Sequence, residues 1–244
     1  MIQNFEFNET EIKGLFEIKP FNADDVRGCF TKDYSKEVFE ANGIIHDLKE
    51  VFYTTSFKGV IRALHFQRVK QQPKLVRCIY GSVYDVVVDL RVDSPTFKKW
   101  LGFSLTGSGH EEILVPSGCA HGYLVLEKSV VSYKCAEKFY GEYDDGIMWN
   151  DPDIAVDWPL EKVGGIKNMI LADKDKNLQT FAEFMHKYGG FKTGENTKLV
   201  YGGVTFLTIL LVNVRRHENA VCICCNWRKR FYRAASSGSV VRER

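Results

Sequence analysis

An all-β fold, a barrel or sandwich of antiparallel strands, is what this 244-residue sequence predicts. Between about residues 50 and 140, short runs rich in Val, Ile, Leu and Tyr recur, with Gly, Ser and Pro turn signals between them. Evenly spaced short strands of this kind indicate a sandwich or barrel rather than βαβ units. Helical spacing marks one stretch before the strand region and one after it, so short helices are expected to flank the barrel.

In chain order, the first helix is expected over 31–40, where Tyr34, Val38 and Phe39 recur at helical spacing and Asn42-Gly43 supplies a stop. The run 59–67 (GVIRALHFQ) reads as a strand that ends in a pocket. Strands 75–80 and 83–90 are joined by a turn at Gly81-Ser82, and further strands follow at 100–105, 112–115, 122–126 and 130–135. Leu178, Phe181, Phe184, Met185 and Tyr188 then share one helical face, which Gly189-Gly190 ends.

Residues 1–190 read as one domain and 191–244 as an atypical tail, poorly ordered by expectation. In the tail, 204–212 is apolar but far short of the roughly 20 residues that a membrane span needs. Cys222, Cys224 and Cys225 crowd behind it near His217, without the paired spacing of ordinary zinc modules. Over the whole chain, 45% hydrophobic residues suffice for a full core. A net charge of +2 argues against a whole-surface attraction to nucleic acid or an anionic membrane, so an acidic ligand must be met by local Arg and Lys. The start of the chain lacks an apolar leader. Cys29, Cys78, Cys119 and Cys135 lie far apart in apolar segments, like reduced core thiols. Seven cysteines, an odd number without regular spacing, point to a cytoplasmic protein with no disulfide framework.

The strongest chemical signal is Arg62 with His65 at i and i+3. An imidazole takes a proton near neutral pH, and an adjacent guanidinium favours an anion. A second histidine follows in 116–122 (PSGCAHG), where the Pro-X-Gly turn sets His121 at the head of a strand. That turn resembles the second half-motif of the cupin barrels. Metal-binding cupins add an H-x-H pair and a Glu, and here the first half offers His65-Phe66-Gln67, with an amide in place of the second imidazole. The ligand set falls short of a metal site, so no metal or other cofactor is expected.

Taken together, 59–67, Lys74-Leu75-Val76-Arg77, 83–91, Ser94-Pro95-Thr96-Phe97, 116–122 and Trp149-Asn150-Asp151-Pro152 resemble the dTDP-4-dehydrorhamnose 3,5-epimerase family, in register from about 14 to 188. The resemblance implies a cupin jelly-roll barrel, a homodimer and a nucleotide-linked 4-keto-6-deoxyhexose as substrate. It implies that protons leave C3 and C5 through enolates and return on the opposite face. His65 matches the family's base, Asp175 the carboxylate that orients it, and Tyr133 the acid. Lys74 and His121 match positions that face the carbonyl oxygen, and Arg62, with Arg27 from a partner subunit, positions that hold the diphosphate. Glu50, Phe52 and Lys174 fall on substrate-binding positions.

Each residue alone has a plainer reading: Tyr133 a core aromatic, Asp175 an N-cap, Lys74 a solvated loop lysine, Asp85 a hydrogen-bonded core acid. There are also departures from the family. Ala63 replaces a glycine, Lys32 an acidic residue, Glu50-Val51-Phe52 a polar Gln-x-Asn segment, and Pro73 the glycine before the lysine. These leave three alternatives: epimerisation at one carbon, a different nucleotide sugar, or a sugar-nucleotide-binding cupin without catalysis.

Overall fold

The structure, a computed structural model, describes residues 4–193. The expected disorder and clustered cysteines of the tail lie outside the described residues, except that Phe191 is buried and Thr193 bonds Asp93. In chain order the strands are β1 (Glu6–Glu9), β2 (Phe16–Lys19), β3 (Phe21–Asp25), β4 (Gly28–Lys32), β5 (Glu50–Ser56), β6 (Ile61–Gln67), β7 (Lys74–Asp89), β8 (Trp100–Thr106), β9 (Glu112–Val115), β10 (Cys119–Cys135) and β11 (Asp144–Gly146). Helix α1 (Lys36–Ala41) lies between β4 and β5, and α2 (Asp173–Lys176) and α3 (Phe181–Tyr188) follow the last strand.

Two strands organise the rest. β7 and β10, 16 and 17 residues long, pair antiparallel from Lys74–Cys135 at one end to Asp89–Cys119 at the other. Halfway along, the register slips between Val125 and Val131, a set of bulges that bends both strands together. Gly81 sits in this corner at φ +79, where a Cβ would lie 2.1 Å from the Lys128 carbonyl oxygen. The buried Ser129 hydroxyl stitches the corner, accepting from Ser82 N–H and donating to backbone carbonyl oxygen. The halves on either side of the corner take different neighbours. β9, β2 and β1 extend the first half of β7, and β5 flanks the second half of β10. On the other side, β8 borders the second half of β7, while β6 and then β11 follow the first half of β10. The long pair thus runs from one sheet into a second that faces it, which is the jelly-roll arrangement.

Apolar residues fill three layers. Val76, Cys78, Val87, Ile113, Tyr123, Val125 and Val131 pack between the sheets. Leu75, Leu114 and Ile18 pack outside the first sheet under Phe39 of α1. Phe66, Val86, Leu124 and Ile147 pack outside the second under Phe184 and Tyr188 of α3. Helix α3 starts in a capping box, Thr180 with Glu183, and stops at Gly189 in the left-handed region. Such a cap stabilises the helix by about 1 kcal/mol.

The all-β expectation holds, and four local expectations are corrected. Gly81-Ser82 is a corner inside one strand and joins no hairpin, because the pairing with β10 continues on both sides of it. By the same pairing, 122–126 and 130–135 are parts of a single strand. The first helix begins at Lys36, since Thr31 and Lys32 pair with Asn22 and Phe21 across the β3–β4 hairpin. Cys29 is exposed on that hairpin, unlike the buried Cys78, Cys119 and Cys135. Among the described residues no helix is long and apolar enough to cross a membrane.

One buried group stands out for stability. Glu112 on β9 is fully buried, and neither carboxyl oxygen meets a hydrogen-bond donor among the described residues. Burial pushes its carboxyl well above the ordinary value, with Asp33 adding to the effect and Lys134 and Arg77 opposing it. The folded state therefore holds this proton at pH values where the unfolded chain has released it, and stability falls as pH rises through that window. In melting experiments across pH, Glu112→Gln is expected to match the wild type in acid and to gain on it as pH rises. A constant difference would refute this.

Candidate active site

The space between the two sheets opens into a cavity of about 180 Å³. Its wall includes Arg62, His65, Lys74, His121, Tyr133 and Lys174, together with Phe52, Thr54, Gln67, Gln72, Tyr123, Phe139 and Asp144. The corner explains this convergence. Lys74 lies at the start of β7 in one sheet, whereas His121 and Tyr123 lie on β10 in the other, and Tyr133 returns on β10 to the first sheet.

Arg62 and His65 are three apart, a spacing that would put them on opposite faces of a regular strand. A bulge removes the conflict. His65 pairs with His121 and Arg62 with Tyr123, so three residue steps on β6 match two on β10, and both side chains turn inward. Gly122 lies at the bulge, where an added Cβ would come within 2.4 Å of Ala63 Cβ.

Two imidazole–carboxylate pairs result. Asp175 Oδ1 accepts a hydrogen bond from His65 Nε2 at 2.6 Å, leaving Nδ1 as the nitrogen able to take a proton. Asp175 is buried within α2 and is not a helix cap. The His121 Nε2–H points at Asp85, 2.9 and 3.0 Å from its two oxygens. Asp85 is 0% exposed, and burial raises its pKa against the lowering effect of His121. The inward carboxylate left open by the strand pattern is therefore the anchor of the second histidine.

Tyr133 is 7% exposed, its ring stacked on Phe52 at 4.8 Å and edge-on to His121 at 6.0 Å. Burial, reinforced by Tyr123 and Asp85, pushes its phenol well above the usual range, so the group stays protonated. Burial also lowers the pKa of Lys74, although Cys135, Asp144 and Asp85 oppose the shift. Arg62 Nε donates to Ser56 Oγ at 3.2 Å, which fixes the guanidinium while, among the described residues, its two terminal nitrogens remain for a ligand. Lys174 lies at the cavity wall in an ion pair with Asp144.

Two sequence-predicted residues lie elsewhere in this chain. Glu50 is absent from the cavity wall: at the start of β5 its carboxylate accepts from Phe139 N–H at 2.9 Å and so supports a residue that is in the wall. Arg27 is exposed beside the β3–β4 turn and paired with Asp25. Gln67 is occupied structurally, donating to the Lys70 and Lys138 carbonyls and accepting from Tyr140 N–H. Among the described residues no group of three or more His, Cys, Asp and Glu is arranged to hold a metal. The sequence reading missed Thr54, Tyr123 and Phe139 in the wall. No local signal marked them: Tyr123 lies across from Asp85 and Thr54 across from Val131 only through the long-range strand register.

Comparison with known proteins identifies the family. The sequence profile of the dTDP-4-dehydrorhamnose 3,5-epimerase family matches residues 9–183. The dTDP-4-dehydrorhamnose 3,5-epimerase of Methanothermobacter thermautotrophicus is 42% identical over 180 residues, spanning 73% of this chain and 96% of that protein. The crystal structure of the Bacillus anthracis enzyme with TDP and PPi bound is 39% identical and superposes with a TM-score of 0.68, over 73% of this chain and 100% of that one. A Legionella pneumophila dTDP-6-deoxy-D-glucose-3,5-epimerase in complex with dTDP-4-keto-L-rhamnose is 34% identical, with a TM-score of 0.68 over 72% of this chain and 93% of that one. The chain is thus an isomerase of the nucleotide-sugar epimerase type with a cupin-like barrel, and it belongs to the dTDP-4-dehydrorhamnose 3,5-epimerase family.

Proposed function

We propose that this protein epimerises C3 and C5 of a nucleotide-linked 4-keto-6-deoxyhexose of the dTDP-4-dehydro-6-deoxyglucose type, with His65 as base and Tyr133 as acid. The observation that carries the reading is the joint presence, in one cavity, of an imidazole held by a buried carboxylate and a phenol kept protonated by burial. The first can remove a proton and the second can return one. The relatives crystallised with TDP and with dTDP-4-keto-L-rhamnose support the ligand class.

In this reading the 4-keto group acidifies the protons on C3 and C5. His65 Nδ1 takes one of them, and Asp175 stabilises the imidazolium that forms. Charge builds on the carbonyl oxygen as the enolate develops. The Lys74 ammonium, with His121 held by Asp85, faces that oxygen, and preorganised charge of this kind is often the largest contribution to rate. Tyr133 then protonates the carbon from the other face. At about 180 Å³ the cavity is smaller than the roughly 300–1,000 Å³ of sites that enclose a whole drug-sized ligand, so it suits one sugar ring. The diphosphate lies toward Arg62, and Phe52 supplies an apolar wall where the family has a polar side chain. Lys174, paired with Asp144, borders the same ring.

NMR of a dTDP-4-keto-6-deoxyhexose incubated with the protein in D₂O is expected to show deuterium entering at both C3 and C5. His65→Ala should slow that uptake by about 10²–10⁴-fold. Uptake at one carbon would make the protein a mono-epimerase, and none with any nucleotide sugar would leave only binding.

The Lys74 ammonium is needed charged, and burial makes it release its proton at lower pH than an ordinary lysine, whose pKa is about 10.4. Activity should therefore fall on the alkaline side before that value is reached. Lys74→Arg, whose guanidinium keeps its charge, should move the alkaline limb of the kcat/KM profile upward. An unmoved limb would assign it to another group.

The same proposal includes a homodimer, in which Arg27 reaches the diphosphate in the partner's cavity. The outward side chains of Val51, Tyr53 and Ile79 on the first sheet, exposed in the single chain, support a covering partner. Sedimentation should show a dimer. Arg27→Ala should raise KM by about 10-fold with kcat little changed, the loss expected for one charge-assisted hydrogen bond. A monomeric active enzyme would contradict this part.

A further inference from the structure

Proton return from Tyr133 raises a supply problem. The phenol lies 7% exposed between the Phe52 ring and the edge of His121, so water reaches it poorly. Without resupply each return would leave a phenolate, and epimerisation at two carbons uses the group twice on one substrate. The group has to be recharged between the two events.

The cavity wall beside it holds two further hydroxyls. Tyr123, on the opposite half of β10, is 1% exposed inside the apolar layer between the sheets. A phenylalanine would fill the same apolar volume, and a buried tyrosine hydroxyl needs a partner. Its partner is Thr54 Oγ1 on β5, at 2.8 Å. Thr54 is half-buried and lines the cavity two residues from Phe52, at the edge strand of the sheet. Tyr133 and Thr54 stand on the first sheet, and Tyr123 reaches across from the second to bond Thr54 and to act on the Tyr133 phenol, so the three hydroxyls face one another across the cavity.

We infer that Tyr123 and Thr54 form a hydroxyl relay that recharges Tyr133 with a proton from water. The inference rests on the reading of Tyr133 as the acid. When the Tyr133 O–H bond breaks and its proton joins the enolate carbon, the Tyr123 proton passes to the Tyr133 oxygen. The Thr54 proton passes to Tyr123, and a water molecule at the cavity mouth gives its own to Thr54 in one concerted shift. The hydroxide left behind is neutralised by the proton that His65 took from carbon and releases to solvent. No oxidant or other reactant is required.

The test compares Tyr123→Phe, Thr54→Val, Thr54→Ser and Tyr133→Phe in D₂O, following product by NMR. Each variant is first checked for wild-type melting, since removing a hydroxyl from a packed wall preserves its shape. Tyr123→Phe and Thr54→Val are expected to lower kcat by about 10-fold or more, below the full 10²–10⁴ of a lost acid, and to release singly epimerised product. KM should stay within about two-fold in these variants, because neither hydroxyl is asked to bind substrate. Thr54→Ser, which keeps the hydroxyl, should restore the rate lost in Thr54→Val. Wild-type kcat and full double epimerisation in Tyr123→Phe and Thr54→Val, with inversion stopped in Tyr133→Phe, would overturn the relay and leave the acid assignment standing. Inversion that persists in Tyr133→Phe would overturn both.

Discussion

The antiparallel pairing of β7 with β10, carried unbroken around a corner, is the constraint on which the rest of this molecule depends. Because both strands bend at the same place, they belong to two facing sheets, and every other strand attaches to one side of the corner or the other. The cavity is a direct consequence. Lys74 and Asp85 are eleven residues apart on one strand, and Tyr123 and Tyr133 ten apart on the other, yet all four face the space between the sheets. The corner has strict local requirements. Gly81 has no room for a side chain, and the Ser129 hydroxyl satisfies backbone groups that the slipped register leaves unpaired.

Within that frame, burial sets the proton chemistry. A phenol away from water resists ionisation and remains a donor, while an ammonium in the same place releases its proton more readily. Carboxylates sunk behind the imidazoles fix which ring nitrogen each histidine offers: Asp175 takes Nε2 of His65, and Asp85 takes Nε2 of His121. The His65 and His121 backbones lie opposite each other across β6 and β10, so the two imidazoles stand side by side on one sheet, His121 held by Asp85 on β7 and His65 by Asp175 in α2. Groups of opposite tendency are thereby held within a space the size of one sugar ring.

Much of this was legible in the chain, for identifiable reasons. Alternation and turn residues gave the strands, and helical spacing with Gly189 gave α3. The family resemblance carried His65, Tyr133, Lys74 and His121, and the structure brings all four to one cavity. What pattern reading missed are features made by long-range register. Gly81-Ser82 looks like a hairpin turn because glycine serves both turns and corners, and only the unbroken pairing with β10 tells them apart. The spacing of Arg62 and His65 signalled a pocket but not the bulge that produces it. Tyr123 reads as one more apolar member of its strand, since nothing local shows that Thr54, 69 residues earlier in the chain, meets its hydroxyl. Glu50 matched a substrate-binding position by family resemblance, yet a backbone N–H from the loop at Phe139 claims its carboxylate.

The central claim is that one sugar ring sits between a base on β6 and an acid on β10. A crystal structure of the protein with a bound nucleotide 4-keto-6-deoxyhexose, or its unreactive deoxy analogue, tests it most directly. The expected result is a ring with His65 Nδ1 near C3 or C5 on one face, Tyr133 Oη on the opposite face, and Lys74 at the C4 oxygen. A ring with His65 and Tyr133 on the same face, or a sugar seated outside the cavity, would contradict the account.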